Sequence, residues 1–272
     1  MNLGLRFDRS WLKGNALSPR AAVIYKPAAK TTLKLMYGRG FRQPSTYDMF
    51  NGDGVTEIAN SSLRRETNDT YEFDIERTFG RRLRAGATAH RYLVKNAVEQ
   101  VFTTAGLLQY VNADPVRATG VSFELFLQLP RRIDLASSLE IQRATFGSSA
   151  VLPNSPGQVG KLHLSITLWR DRVTLGAGLQ AMGQRSTNAG ATVPWVVLPE
   201  VLVSTKTLAA GLQFSAGVKN LSNSFYRDPA GPTSTVDTAI GSGRTYYLNV
   251  TWHSAERDSD RKGENHPGQS GK

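Results

Sequence analysis

The sequence contains no cysteine and only four histidines, His90, His163, His253 and His266, scattered along the chain. Without cysteine there is no disulfide framework, no thiolate metal site and no thiol nucleophile. Such sparse histidine also argues against a histidine-rich catalytic centre. No apolar run approaches the roughly 18 residues that a spanning helix needs. Gly-x-Ser-x-Gly, phosphate-loop and dinucleotide fingerprints are missing as well. The first residues, Met1-Asn2-Leu3-Gly4-Leu5-Arg6, lack the basic-then-apolar order of an export signal. Either the protein is not exported or the chain begins inside a longer one.

What is present is basic and moderately apolar. In 272 residues, 33 Lys and Arg stand against 22 Asp and Glu, a formal charge of +11, with 40% hydrophobic and 20% charged residues. That mix suits neither a disordered chain nor a helical membrane protein. The excess charge invites a polyanion-binding reading, but it is not gathered into one block. It falls in separated pairs such as Arg64-Arg65, Arg81-Arg82 and Arg131-Arg132. In the last segment, 254–272, four bases are matched by four acids, and the polar, Gly- and Ser-rich composition predicts a disordered tail.

Alternation of apolar and polar residues recurs nearly end to end. Val121, Phe123, Leu125, Leu127 and Leu129 alternate with Ser122, Glu124, Phe126 and Gln128; Leu162, Leu164, Ile166 and Leu168 alternate with His163, Ser165, Thr167 and Trp169. Tyr246, Leu248, Val250 and Trp252 close the series against Thr245, Tyr247, Asn249 and Thr251. Period two is the mark of strands with two unlike faces, and no 3.6-residue stripe competes with it. The protein therefore reads as all-β.

Connections alternate in length. Longer loops are expected at Arg9–Ser18, Gly40–Glu66, near Gln100–Gly106, at Phe146–Pro156, near Ser186–Thr192 and at Leu221–Ser242, with tight turns between them. Tight turns at one end and long loops at the other describe an up-and-down transmembrane β-barrel of the outer-membrane kind. The segments number about 12, several near the 9–11 residues that cross a bilayer. Tyr37, Tyr71, Trp169, Trp195 and Trp252 lie near strand ends, where aromatic girdles sit. A soluble sandwich would alternate too, but would not need loops sorted by length.

Four motifs carry a family resemblance. They are Tyr37-Gly-Arg-Gly-Phe-Arg-Gln-Pro44 followed by Tyr47-Asp-Met-Phe50; Asn60-Ser-Ser-Leu-Arg-Arg-Glu-Thr67 before Tyr71-Glu-Phe-Asp-Ile75; Tyr110-Val-Asn112 leading to Gly120-Val-Ser-Phe-Glu124; and Val218-Lys-Asn-Leu-Ser-Asn-Ser-Phe-Tyr226 before Gly243–Trp252. In this order the chain resembles the barrel of TonB-dependent outer-membrane receptors, with Arg65 where the family usually has Pro. The resemblance covers nearly all of residues 1–253 and fits the C-terminal half of a barrel of about 22 strands. It implies part of an outer-membrane receptor or transporter for a scarce ligand such as a ferric siderophore or cobalamin. The plug domain and its TonB contact are not seen in this chain, so transport by this chain alone is not expected. Implied partners are outer-membrane lipid and lipopolysaccharide, the barrel-assembly machinery, and TonB only through a plug. The implied assembly signal is the last strand, at Gly243, Tyr246, Leu248, Val250 and Trp252; those same residues would face lipid in any barrel.

Site residues follow from the resemblance and from charge. Arg39 and Arg42, with Tyr47 and Asp48, flank the first long loop and could contact an anionic ligand through charge-assisted hydrogen bonds. The plainer reading is that these arginines line the barrel interior or pair with lipopolysaccharide phosphates. Asp48, Asn51 and Asp53 read as a solvated turn, because EF-hand spacing is not met. Glu72, Asp74 and Glu76 recur on the polar face of one strand, where they balance basic residues in the lumen. No catalytic residue, metal site, cofactor or nucleic-acid partner is expected. Two rivals remain open: a self-contained small outer-membrane barrel acting as a pore or adhesin, and a soluble basic β protein binding polyanions.

Overall fold

A computed structural model of the chain describes residues 1–169, 171–208, 211–232 and 234–253; the expected tail at 254–272 lies outside them. Twelve long strands run up and down in one antiparallel sheet, each paired with its sequence neighbours. They are β1 (Asn2–Ser10), β2 (Gly14–Ala28), β3 (Thr31–Arg42), β4 (Glu66–Phe79), β5 (Leu83–Lys95), β6 (Val116–Leu129), β7 (Ile133–Phe146), β8 (Gln158–Leu168), β9 (Val173–Met182), β10 (Val196–Thr205), β11 (Leu212–Lys219) and β12 (Thr245–Trp252). β1 pairs only with β2 and β12 only with β11 among the described residues, so the sheet is open.

The connections sort by end. At the turn end they are residues 29–30, 80–82, 130–132, 169–172 and 206–211; at the loop end they are 11–13, 43–65, 96–115, 147–157, 183–195 and 220–244. One expected long loop is therefore wrong. Most of Arg9–Ser18 is strand, with Arg9 facing Asn15 and Ser10 facing Gly14 across a three-residue link at Trp11–Lys13. Its polar composition looks like a loop, but the backbone ladder continues there. The turn is closed by Gly14 at φ +71°, which a side chain would strain, and by Ser10 Oγ accepting from the Leu12 and Lys13 amides.

Register assigns the two faces. Phe123 stands opposite Ala87 and Leu139, and Val121 opposite Ala89 and Ile141, so the odd-numbered positions of β3 to β7 form one apolar surface. Leu33, Leu35, Phe73, Ile75 and Phe79 continue it. Most of these large side chains are exposed although they are hydrophobic. In water such a continuous patch would be a liability; in a bilayer it is the lipid face. Tyr246, Leu248, Val250 and Trp252 extend the same face along β12, opposite Val218, Ala216, Phe214 and Leu212.

The even-numbered face of these strands is polar and acidic. Glu72, Asp74 and Glu76 lie on it as expected, together with Glu124, Asp134 and Glu140. Lys34 pairs with Asp74 at 2.9 Å, and the Tyr92 hydroxyl donates to Glu72 at 2.9 Å. His90 reaches Glu140 at 3.4 Å across Gly120, where a Cβ would approach the Glu140 Oε1 to 2.9 Å. A recess of about 270 Å³ opens on this face between Asp74, Glu76, Arg84, Glu124, Lys161 and His163. The basic excess of the whole chain thus does not describe the inner wall of this half of the sheet.

Candidate functional site

The loop end holds the chain's most organised non-sheet structure. Segment 43–65 begins with a short helix, α1 (Thr46–Phe50), started by reciprocal capping: Ser45 Oγ accepts from the Asp48 amide at 3.0 Å, and the Asp48 carboxylate accepts from the Ser45 amide at 2.9 Å. The two large side chains buried most completely in the described chain, Met49 and Leu63, both lie in this segment. The loop therefore buries apolar side chains of its own.

The sequence motifs meet here. The Asn60 side-chain amide donates to the Tyr110 carbonyl at 2.8 Å, and the Arg64 amide donates to Asn112 Oδ1 at 2.7 Å. Asn112 returns bonds to the Arg64 and Asn96 carbonyls, both at 2.9 Å. Segment 43–65 is thereby fastened to the hairpin of Val98–Phe102 and Leu108–Asn112. Arg65, standing where the family usually has Pro, donates to the Lys13 and Asn15 carbonyls and so ties the β1–β2 link to the same assembly. The last motif does similar work: Asn220 bonds the Ser224 and Ser242 carbonyls at 2.9 and 3.1 Å, and Asn223 Oδ1 accepts from the Arg244 amide at 2.8 Å.

Of the four residues singled out by sequence, Arg42 and Asp48 come into contact, and Tyr47 is the neighbour of Asp48 on α1. Arg42 forms a two-pronged pair with Glu66, at 2.7 and 2.9 Å, and reaches Asp48 at 3.3 Å. Tyr47 is half exposed, its ring edge-on to Tyr110 with centroids 6.2 Å apart. Burial raises the Tyr110 hydroxyl above its ordinary pKa. Glu66 and Tyr110 lie within the sequence motifs, but nothing in their spacing alone points to a site. Arg39 is elsewhere: it lies on the apolar face, where its guanidinium grips the buried Asp69 at 2.7 and 3.1 Å and Tyr37 donates to the same carboxylate at 3.0 Å. Residues three apart in a strand point to opposite faces.

Asp53 forms the expected turn. Its carboxylate accepts from the Val55, Thr56 and Glu57 amides, at 2.8, 2.7 and 3.0 Å, and from the Thr56 hydroxyl at 2.7 Å. These bonds favour the charged form and hold its pKa below the ordinary aspartate range. The sign follows directly. A carboxylate depressed in the folded state contributes stability above its unfolded value of about 3.9, and that contribution is lost as pH falls through the depressed value. Hydrogen exchange of the segment around Thr56, corrected for intrinsic rates, is expected to stay protected down to about pH 3; loosening already at about pH 5 would contradict the depressed value.

An antiparallel up-and-down sheet with one lipid-facing surface, one polar surface and organised loops at a single end defines the wall of an outer-membrane β-barrel. The sequence matches the family described as TonB dependent receptor-like, beta-barrel, over residues 1–221. The chain belongs to that family. A comparison with curated proteins finds no match. Among solved structures, a mutant of the ferric enterobactin receptor PfeA from Pseudomonas aeruginosa superposes with a TM-score of 0.74 at 19% identity, over 92% of this chain and 42% of that one. The siderophore receptor PirA from Acinetobacter baumannii gives 0.74 at 17%, over 92% and 43%. The FrpB iron transporter from Neisseria meningitidis gives 0.68 at 16%, over 87% and 39%. The chain thus spans about two fifths of the length of these structures, which share its fold.

Proposed function

We propose that the chain supplies wall and loops of an outer-membrane, TonB-dependent uptake receptor, with no catalytic role of its own. The observation that carries this reading is the sorting of connections, at most six residues at one end and, the 11–13 link aside, eleven or more at the other, on a sheet whose apolar face belongs in lipid. The loop end then faces the exterior, and Arg42, Tyr47 and Asp48 stand at the mouth of the polar face. The relatives named above are described as a ferric enterobactin receptor, a siderophore receptor and an iron transporter; the tyrosine hydroxyl at the mouth is free to meet a metal chelate, whereas the Arg42 guanidinium is already held by Glu66 and Asp48. In that setting TonB acts through a plug domain, and the outward residues of β12 form the assembly signal. The open sheet favours the wall of a larger barrel over a small self-closed one, because an unpaired strand edge in hydrocarbon costs several kcal/mol for each lost backbone partner.

Because the sequence has no cysteine, single cysteines report sidedness cleanly. Ser149→Cys in the 147–157 loop is expected to react with a membrane-impermeant maleimide on intact cells. Arg81→Cys, in the turn after β4, reacts only after the outer membrane is opened. Equal labelling of the two, or recovery of the protein in the soluble fraction, would refute the placement.

A further inference from the structure

The positive excess is not shared between the two ends of the sheet. The five turns hold eight Lys and Arg and one acid, Asp171, whereas the six loops, several times longer, hold six Lys and Arg and seven acids. The loop end is therefore close to neutral, and the turn end is the basic one.

These bases repeat one position. Lys30, Arg82, Arg132 and Arg172 each stand last in their turn, and the backbone carbonyl of each accepts from the next hairpin, from the Thr78, Gln128, Thr167 and Lys206 amides at 2.9, 2.8, 3.1 and 2.9 Å. The first three donors stand two residues before the following turn begins, so the step from hairpin to hairpin is the same each time. Successive turns lie two strands, about 10 Å, apart. The result is a row of cations along one edge of the wall. The Lys30 ammonium also donates to the Gly80 carbonyl at 3.1 Å, and Arg132 pairs with Asp171. Among the described residues, the side chains of Arg81, Arg82, Arg131, Arg172 and Lys206 are exposed and have no hydrogen-bond or ion-pair partner. Turn geometry does not account for the arginines: Arg131 and Arg132 sit at φ +63° and +58°, a left-handed backbone that favours glycine or asparagine.

Depth identifies what such a row meets. Phe79, Leu129 and Leu168 are the last outward apolar residues of β4, β6 and β8, and all three are exposed. Arg81 and Arg131 follow two residues after the first two of these. At about 3.3 Å per residue they lie within about 7 Å of the apolar band, which is the depth of the headgroup layer on one side of a bilayer. Trp169, 69% exposed in the turn after β8, lies at the same level, where interfacial aromatic residues sit. The turns that end in a base have only two to four residues, so their charges stay within that layer.

We propose that the turn end is a cationic rim that gathers anionic phospholipid, the headgroup phosphates of the adjoining leaflet lying against Arg82, Arg131 and Arg172. The inference rests on the membrane placement proposed above and adds a lipid preference to it. A plane of headgroups meets the whole row at once, whereas a free anion meets a single turn.

The test reconstitutes the barrel that contains this wall into vesicles of equal phosphatidylcholine and phosphatidylglycerol, extracts it in mild detergent and measures the retained lipid by mass spectrometry. Phosphatidylglycerol is expected to be enriched about threefold or more at low salt, and the enrichment should fade towards about 1 M salt as the screening length shortens. It should vanish in the Arg82→Gln/Arg131→Gln/Arg172→Gln variant, fall partway in each single variant, and survive in Arg64→Gln/Arg227→Gln at the loop end. Equal enrichment by the wild type and the triple variant overturns the rim alone, as does its loss in the loop-end variant, which would tie it to net charge and not to position. Binding to isolated cell-wall polymer without lipid enrichment overturns it in favour of that partner. Failure of the wild type to enter vesicles at all overturns the placement and the rim together.

Discussion

Phe123→Arg is expected to destabilise the membrane-inserted protein by about 2–4 kcal/mol, whereas Ser122→Arg, one residue away, should change stability little. Phe123 faces outward near the middle of β6, between Ala87 and Leu139, with Val121 above it and Leu125 below. A guanidinium there is held in hydrocarbon far from either interface. Ser122 faces inward beside Thr88 and Glu140, and Glu124 lies one step along the same face. An arginine at that position meets acids and water. Urea-dependent folding into lipid vesicles of the barrel that contains this wall measures both variants against the wild type. Equal costs, or the reverse order, would show that the faces are assigned the wrong way round. A soluble sandwich predicts the same order of costs, and what separates the two is that this apolar face stands exposed instead of being closed by a second sheet.

The same parity rule shows what the sequence made readable and what it hid. Alternation in Val121–Leu129 identifies the strand and its apolar face without any structure, and Leu248, Val250 and Trp252 are read equally well. Parity could also have separated Arg39 from Arg42, since both lie in one strand three positions apart. The charge segregation of β3 to β7 was less accessible. A net charge of +11 has no face until register says which positions stand together. The pairing of Arg91 with Thr119 and of Thr119 with Arg143 depends on strand offsets that no single strand reveals. Likewise, the bond from Asn60 to the Tyr110 carbonyl joins residues far apart in the chain through a side-chain amide. Such a contact leaves no periodic trace. The motifs marked the residues as belonging together in a family but not as touching. Arg9–Ser18 failed for the opposite reason: its polar residues looked like a loop because strand that rises past the lipid has no apolar face to display.

Leu63→Ala should release the 43–65 loop while leaving the sheet in place. Leu63 is 1% exposed and Met49 0%, yet both belong to a connection and not to a strand. Truncating a fully buried leucine costs about 2–5 kcal/mol, the lost transfer energy plus that of the cavity left behind. Here the cost falls on local opening, because the strands on either side keep their ladders in lipid and do not depend on the loop's core. Each 1.4 kcal/mol raises the open population about tenfold, so cleavage within 43–65 should accelerate by roughly 30-fold or more when opening is fast relative to proteolysis. Hydrogen exchange in β3 and β4 should stay unchanged. Met49→Ala is expected to behave alike, and the double variant to be less than additive if the two side chains share one core. The consequence reaches the binding end. Tyr47 and Asp48 are presented by a helix whose start is capped and whose Met49 is anchored, with Arg42 at the end of β3 held against Asp48, and a ligand meeting a pre-ordered mouth does not have to supply the cost of ordering it. Cleavage at the wild-type rate in both variants would mean that the loop is held from outside by Asn60, Asn112 and Arg65. In that case Asn112→Ala, which removes the bonds to Arg64 and Asn96, becomes the change that frees it.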